Sequence, residues 1–260
     1  MGEAVNRSAE PSELPRIKDM KIGSVPEVLR AGLRDFMRAP AFGIFFSGFY
    51  VFGGIVLWAV FSSRGEEWWL FPFILGFPLL APFAAIGLYE VSRRLEAGEP
   101  LMWREVIACC MAQKDRQLPS MAMVILLMFM FWVFVAHTTF ALFMGTQALT
   151  NISNSFETLL MPNGFVMLAV GSAIGGLFAV VLFSFTVVGL PLLLDREVDF
   201  ISAIITSVQA VLANPASMLI WAATIAGLLF LGMVPLFLGL FVVLPLLGHA
   251  SWHMYRALTE

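Results

Sequence analysis

Pro119-Ser120-Met121-Ala122-Met123-Val124-Ile125-Leu126-Leu127-Met128-Phe129-Met130-Phe131-Trp132-Val133-Phe134-Val135-Ala136-His137-Thr138-Thr139 opens a run that reaches Ala148 without an Asp, Glu, Lys or Arg. A helix rises about 1.5 Å per residue and the hydrocarbon core of a bilayer is about 30 Å thick, so about 20 apolar residues cross it once. Residues 119–148 therefore read as a membrane span, and the flanking sequence repeats the character. Ala41 to Phe61 is uncharged and fits one crossing; Trp68 to Tyr89 fits another, opened by Trp68 and Trp69 at the level where aromatic rings favour the interface. A further span runs from about Phe165 to Leu194, after the Asn- and Ser-rich stretch Thr150 to Glu157.

Residues 216–248 are 33 residues without a formal charge. As one helix they would be about 50 Å long, too much for one core without extreme tilt. Gly232-Met233-Val234-Pro235 supplies a break, because proline clashes with the preceding turn and glycine permits a reversal. Six spans result, the last two short; a single crossing here would instead carry Arg256 to the opposite side.

The composition agrees. Apolar residues make up 60% of the chain and charged ones 13%, against roughly 45–50% and 25% in a soluble domain. Fourteen of the fifteen lysines and arginines fall in the pre-span segment, in 90–118, or in the later connections at Arg196 and Arg256; Arg64 alone lies across the membrane. Basic residues are retained in the cytoplasm during insertion, so both termini are expected there. Residues 1–23, polar and with Pro11 and Pro15, read as a disordered cytoplasmic tail rather than a signal peptide. Residues 24–260 then form one membrane domain. Cys109 and Cys110 fall on the cytoplasmic side as reduced thiols, read as small apolar residues of a half-buried helix, with palmitoylation the alternative.

An internal pattern accompanies the spans. Val25, Val28, Leu29, Leu33, Phe36 and Met37 share one helical face and Arg30, Arg34 and Arg38 another, and Pro40 follows. Trp103, Val106, Ile107, Cys110 and Met111 repeat the spacing before Pro119. Ile201, Ile204, Ile205, Val208, Val211 and Leu212 repeat it before Pro215, opposed by Ser202, Thr206 and Gln209. The fold expected is an all-α membrane protein of six transmembrane helices, built as three units of interfacial amphipathic helix plus transmembrane hairpin, at about 24–100, 101–197 and 198–258. Three copies in one orientation are not the inverted arrangement of many transporters.

Gly87-Leu88-Tyr89-Glu90-Val91-Ser92-Arg93-Arg94-Leu95-Glu96-Ala97-Gly98-Glu99-Pro100 and the closing Pro245-Leu246-Leu247-Gly248-His249-Ala250-Ser251-Trp252-His253-Met254-Tyr255-Arg256 resemble the bacterial integral-membrane family named domain of unknown function 2189, over about residues 20–258. The resemblance implies a Gram-negative inner-membrane protein. It brings no activity, substrate or catalytic residue.

Candidate sites are few. His249 and His253 lie one helical turn apart, a spacing that metal or haem ligation can use, yet beside Trp252, Tyr255 and Arg256 they also read as membrane-surface anchors. Tyr89, Arg93, Arg94, Trp68 and Trp69 read as anchors at other span ends. His137, deep in its span beside Thr138 and Thr139, needs a partner or neutrality; a hydrogen bond to a backbone carbonyl or threonine is the simple outcome, and a cofactor ligand or polar pathway the alternative. Glu90 can pair with Arg93 or Arg94. Asp195, Glu197 and Asp199 around Arg196 read as a solvated acidic turn opening the next helix, against a cation site. Gly171, Ser172, Gly175 and Gly176 form a small-residue face for close helix packing.

No Walker-type loop, Rossmann glycine pattern, nucleophile elbow, zinc-ligand cluster or DNA-binding module is present in the sequence. The expectation is a non-enzymatic protein without cofactor or resident metal, acting in the lipid bilayer as accessory, scaffold or assembly partner of other membrane subunits or of itself, with no nucleic acid. Transport of a small or lipophilic solute and a haem- or metal-binding redox subunit are the alternatives. A reporter fused after Glu260 should face the cytoplasm and one inserted at Asn154 the periplasm; either result reversed removes the six-span topology.

Overall fold

Proline placement sets where several long helices begin. The computed structural model describes residues 12–64, 71–144, 162–235 and 237–259. Helix α1 (Val25–Arg38) is followed after one residue by α2 (Pro40–Arg64), and α8 (Phe200–Ala213) after one residue by α9 (Pro215–Met233). A proline at the first helical position loses nothing by lacking an N–H and has its φ already set. The hinge residues share a conformation: Ala39 has φ −133° and ψ 52°, Asn214 φ −126° and ψ 50°. Both amphipathic helices have 14 residues. The middle counterpart is different, with α4 (Trp103–Ala112) ending in a 3-10 turn, Gln113–Asp115, before α5 (Leu118–Met144).

The remaining elements are α3 (Phe71–Ala97), α6 (Pro162–Thr186), the short α7 (Gly189–Asp195) and α10 (Leu240–Leu258). No strand occurs among the described residues, which hold one isolated antiparallel bridge, Ile17 with Thr259. Among the described residues three helical stretches are long and apolar enough to cross a membrane: Leu118–Phe143, Phe165–Asp195 and Pro215–Met233. A fourth arises if the bent pair Ile22–Arg38 and Pro40–Val56, meeting at 103°, is counted as one. Residues 41–61 fall on α2 and 71–89 on α3; Trp68, Trp69 and the Thr150 to Glu157 connection lie outside the described residues. The expected break in residues 216–248 falls where α9 ends at Met233, and the turn to α10 passes through Phe237 at φ 66°. Only the first half of α10 is apolar, and Leu240, Pro245 and Leu247 in that half are buried against protein.

Helices α3 and α10 form the centre. Ile86, Leu88, Tyr89 and Val91 of α3 and Ala250, Trp252, Met254 and Tyr255 of α10 are buried. Helix α1 lies along α10 so closely that a Cβ on Gly32 would sit 2.6 Å from the Ala250 nitrogen. Around this centre α5, α6 and α9 expose Leu127, Phe131, Phe134, Leu177 and Phe230. That is the expected outside of a protein whose solvent is lipid.

One sequence expectation changes. Residues 12–21 are not a free tail: Lys18 N–H donates to the Leu258 carbonyl at 2.9 Å, Met20 N–H to Asn214 Oδ1 at 2.6 Å, and Ser217 Oγ to the Met20 carbonyl at 2.8 Å. A segment too polar to bury its own surface is ordered by pairing its backbone with helix ends. In α8 the small residues form the packed face, and part of the apolar stripe, read as facing the acyl boundary, points away from the bundle. Ala203, Thr206, Ser207 and Ala210 are buried, whereas Ile201, Ile205 and Leu212 are exposed. Small side chains allow close backbone approach, Thr206 returns its hydroxyl to the Ser202 carbonyl, and the isoleucines are left to the acyl boundary.

Gly32→Leu should lower stability by about 2–3 kcal/mol, since the added carbons meet backbone rather than a flexible side chain. Thermal melting in mild detergent checks it, and an unchanged melt would mean that α1 docks without that contact.

Candidate functional site

A network of charged groups links the ends of α3, α4, α7 and α10. Glu90 follows the last apolar turn of α3 and is 1% exposed. Its two oxygens accept from Arg93 Nε at 2.7 Å and Arg94 Nε at 2.6 Å, the i,i+3 and i,i+4 neighbours that helical spacing supplies. Arg93 continues to Glu99, with bonds of 3.0 and 3.1 Å, and Arg94 to Glu105 of α4. Burial pushes the Glu90 carboxyl up, but the hydrogen bonds and charges of the two arginines outweigh it and hold the group below the usual carboxylate range. Removing one partner of such a pair leaves a buried charge uncompensated.

The same carboxylate-rich end of α3 receives α10. Trp252 Nε1 donates to Glu96 at 3.0 Å, and Arg256 Nε reaches the other Glu96 oxygen at 3.2 Å. Tyr255 OH donates to Asp195 at the end of α7 at 2.6 Å. Trp252 and Tyr255 are buried, as is Tyr89, so the reading of these three as headgroup anchors is replaced: their polar tips meet carboxylates or protein rather than phosphate. Arg93 and Arg94 likewise serve the Glu90 cluster, and Arg256, the exposed member, pairs with Glu96.

His249 and His253 sit on the face of α10 that meets α1 and α3, but they do not converge on one point. His253 Nε2 donates to Asp35 Oδ2 of α1 at 2.7 Å. His249 Nδ1 lies 2.8 Å from Ser92 Oγ of α3. Ser92 also helps to lower the Asp35 carboxyl. The buried Nε2 of His249 has no hydrogen-bond partner among the described residues. Burial raises the Asp35 carboxyl, yet the bonds from His253 and Ser92 hold it below its ordinary value. Burial pushes His249 down to about 4. No cluster of three metal-ligating side chains occurs among the described residues.

The acidic turn is divided among partners. Asp199 caps α8 by accepting from Ser202 N–H at 2.9 Å, Glu197 pairs with Arg116 at 2.9 Å, and Arg196 donates to the Glu13 carbonyl at 2.8 Å. Cys109 is half-buried and Cys110 buried, and desolvation raises their thiols to about 11 and about 12, which leaves them protonated.

Within the apolar zone, His137 is exposed and its Nδ1 donates to the Val133 carbonyl one turn back at 2.8 Å; Thr138 and Thr139 do the same to Phe134 and Val135. A groove of about 620 Å³ between α5 and α6 is lined by Trp132, Gly171, Ser172, Gly175 and Gly176. The four small residues do not act alike: a Cβ on Gly175 would lie 2.9 Å from the Trp132 ring, while Gly171 and Gly176 face open space. The Asp35–Ser92–His249 connection joins residues 57 and 157 apart in the chain, and no local spacing could have shown it.

The family model described as a predicted integral membrane protein, DUF2189, matches residues 70–195. The matched segment contains the stretch Gly87 to Pro100 and stops short of the closing stretch from Pro245, so the likeness is narrower than the sequence reading had it. No curated protein and no solved structure matches the chain.

Neutral His249 makes stability depend on pH. Its folded value lies below the ordinary 6.5, so below about pH 6.5 the unfolded chain binds the proton first and stability falls as pH falls, levelling off near pH 4. The loss is on the order of 3 kcal/mol. Melting in detergent from pH 7.5 to 4.5 should show this slope, and His249→Asn should flatten it; an equal slope in the variant would assign it elsewhere.

Proposed function

We propose that this integral membrane protein, whose residues 70–195 match that family, is a non-catalytic accessory subunit that receives a transmembrane helix of another membrane protein, or of a second copy, in the groove between α5 and α6. It sits in the bacterial inner membrane with both termini in the cytoplasm and six crossings arranged as three units. The recurrence of a 14-residue amphipathic helix, one hinge residue and a proline at 25–40 and 200–215 supports the repeated unit.

The observation that carries the reading is the open wall at Gly171 and Gly176. Nothing lies within 4 Å of a Cβ at either position, while Trp132 packs from the opposite side. Such a wall lets a foreign helix approach to backbone distance, and close packing is what associates helices where lipid removes the hydrophobic drive. The charged end supports the same reading, because Glu90, Glu96, Arg93, Arg94, Arg256 and Trp252 are occupied with one another.

A second reading, passage or holding of a small lipophilic solute, draws on an apolar cavity of about 390 Å³ lined by Tyr50, Gly54, Met233, Phe237 and Leu240. Co-purification in mild detergent separates the two. The accessory reading expects a stoichiometric partner or self-association that is lost in Gly171→Leu/Gly176→Leu, with the monomer's melting kept because both additions point into open space. A lone particle stabilised by apolar solutes, indifferent to those substitutions, would favour the second.

A further inference from the structure

Helix α1 has three faces. Val25, Val28, Gly32 and Asp35 are buried against the bundle. Leu33 and Met37, 42% and 72% exposed, form an apolar strip beside them. Arg30, Arg34 and Arg38 recur at intervals of four, so they form a third strip next to the apolar one. These three arginines are exposed, and they have no ion pair or hydrogen bond among the described residues. The contrast is sharp: Arg93, Arg94, Arg116 and Arg256 all end on carboxylates. Of the acids on α1, Asp35 is turned inward onto His253, and Glu27 lies in the first turn, where it suits the helix amino end.

The attitude of the helix is fixed independently. The chain turns by 103° between α1 and α2. With α2 along the membrane normal, α1 lies close to the membrane plane. Gly32 against Ala250 and Asp35 against His253 then prevent it from rolling about its own axis. The apolar strip is thereby held at acyl depth and the arginine strip at the level of the phosphates.

We propose that Arg30, Arg34 and Arg38 form a binding site for the headgroups of anionic phospholipids, with Leu33 and Met37 seated in the acyl region of the same lipids. Guanidinium groups suit phosphate because they offer paired donors in a planar fork and keep their charge at all physiological pH. A merely solvated charged face needs no adjoining exposed Leu and Met and no fixed roll. Near an anionic surface each basic residue adds about fivefold in affinity, so the strip is worth on the order of a hundredfold.

The test uses the full-length chain in an uncharged detergent, with phosphatidylglycerol, phosphatidylcholine or inorganic phosphate added and retained lipid counted by native mass spectrometry. Phosphatidylglycerol should be retained on the order of a hundredfold more strongly than phosphatidylcholine, less so at high salt. Arg30→Gln/Arg34→Gln/Arg38→Gln should bring it to the phosphatidylcholine level while melting without lipid is unchanged. Arg30→Lys/Arg34→Lys/Arg38→Lys, which keeps the charge, should retain most of the preference and serves as the folded comparison if the glutamine variant is unstable. Equal retention of both lipids, full retention by the glutamine variant, loss of the preference in the lysine variant, or displacement of the lipid by millimolar inorganic phosphate would overturn the proposal.

Discussion

Glu90 is buried and still charged, and the two arginines that keep it so are the constraint around which the charged end of the molecule is organised. A carboxylate taken from water at the end of an apolar helix must be matched on both oxygens or give up its charge. Arg93 and Arg94 match it, and each has donors left over. Those donors reach Glu99 and Glu105, so a requirement local to one turn of α3 also ties that helix to α4. Glu96, two turns on, takes Trp252 and Arg256 of α10, and Tyr255 on the same helix takes Asp195 of α7. The pairs cross between segments far apart in sequence. They do at the membrane surface what hydrophobic burial does in a soluble core, because helices surrounded by lipid gain little from hiding apolar surface from one another.

How much of this the sequence disclosed follows from whether a feature is local. Uncharged runs, the stop at Gly232 to Pro235 and the pairing of Glu90 with the arginines three and four residues later depend on length and helical spacing alone, and they could be read off the chain. The family match at 70–195 falls on the stretch whose Glu90 to Arg94 pattern drew attention. What could not be read is which way a face points. The stripe of Ile201, Ile205 and Leu212 marked α8 as amphipathic, but its spacing did not show that Ala203, Thr206, Ser207 and Ala210 would be the residues packed inward. Trp252 and Tyr255 looked like surface anchors because the carboxylates that receive them, Glu96 and Asp195, are 156 and 60 residues away. Residues 12–21 looked free because their partners, Asn214 and Leu258, belong to helix ends that only the fold brings near.

The two histidines of α10 show how one spacing can serve separate ends. A turn apart on one helix, they were candidates for a shared ligand, but α1 and α3 divide them: Asp35 takes His253 and Ser92 takes His249. The two bonds tie α10 to α3 and to α1 from adjacent turns of one helix. Because Asp35 and Gly32 stand on neighbouring positions of the buried face of α1, the polar link and the closest steric contact act on the same few ångströms of helix. Either alone would allow α1 to slide or roll; together they set both its distance and its rotation.

That fixed rotation connects the charged end to the lipid-facing one. With α1 clamped on α10 and α10 packed on α3, the central helices have their faces occupied, and a further helix would come against α2, α5, α6 or α9, which expose Phe52, Phe131, Leu177 and Phe230. Gly171 and Gly176 of α6 offer an open wall beside an aromatic floor, the Trp132 ring and the Phe178 ring 5.7 Å from it. On the proposed function the two parts are distinct: arginine and carboxylate pairs tie the helices together at the charged end, while backbone-to-backbone approach is available on the apolar wall of α6. A partner helix arriving there would meet a surface that does not have to rearrange, and so would lose little of its contact energy to ordering the site.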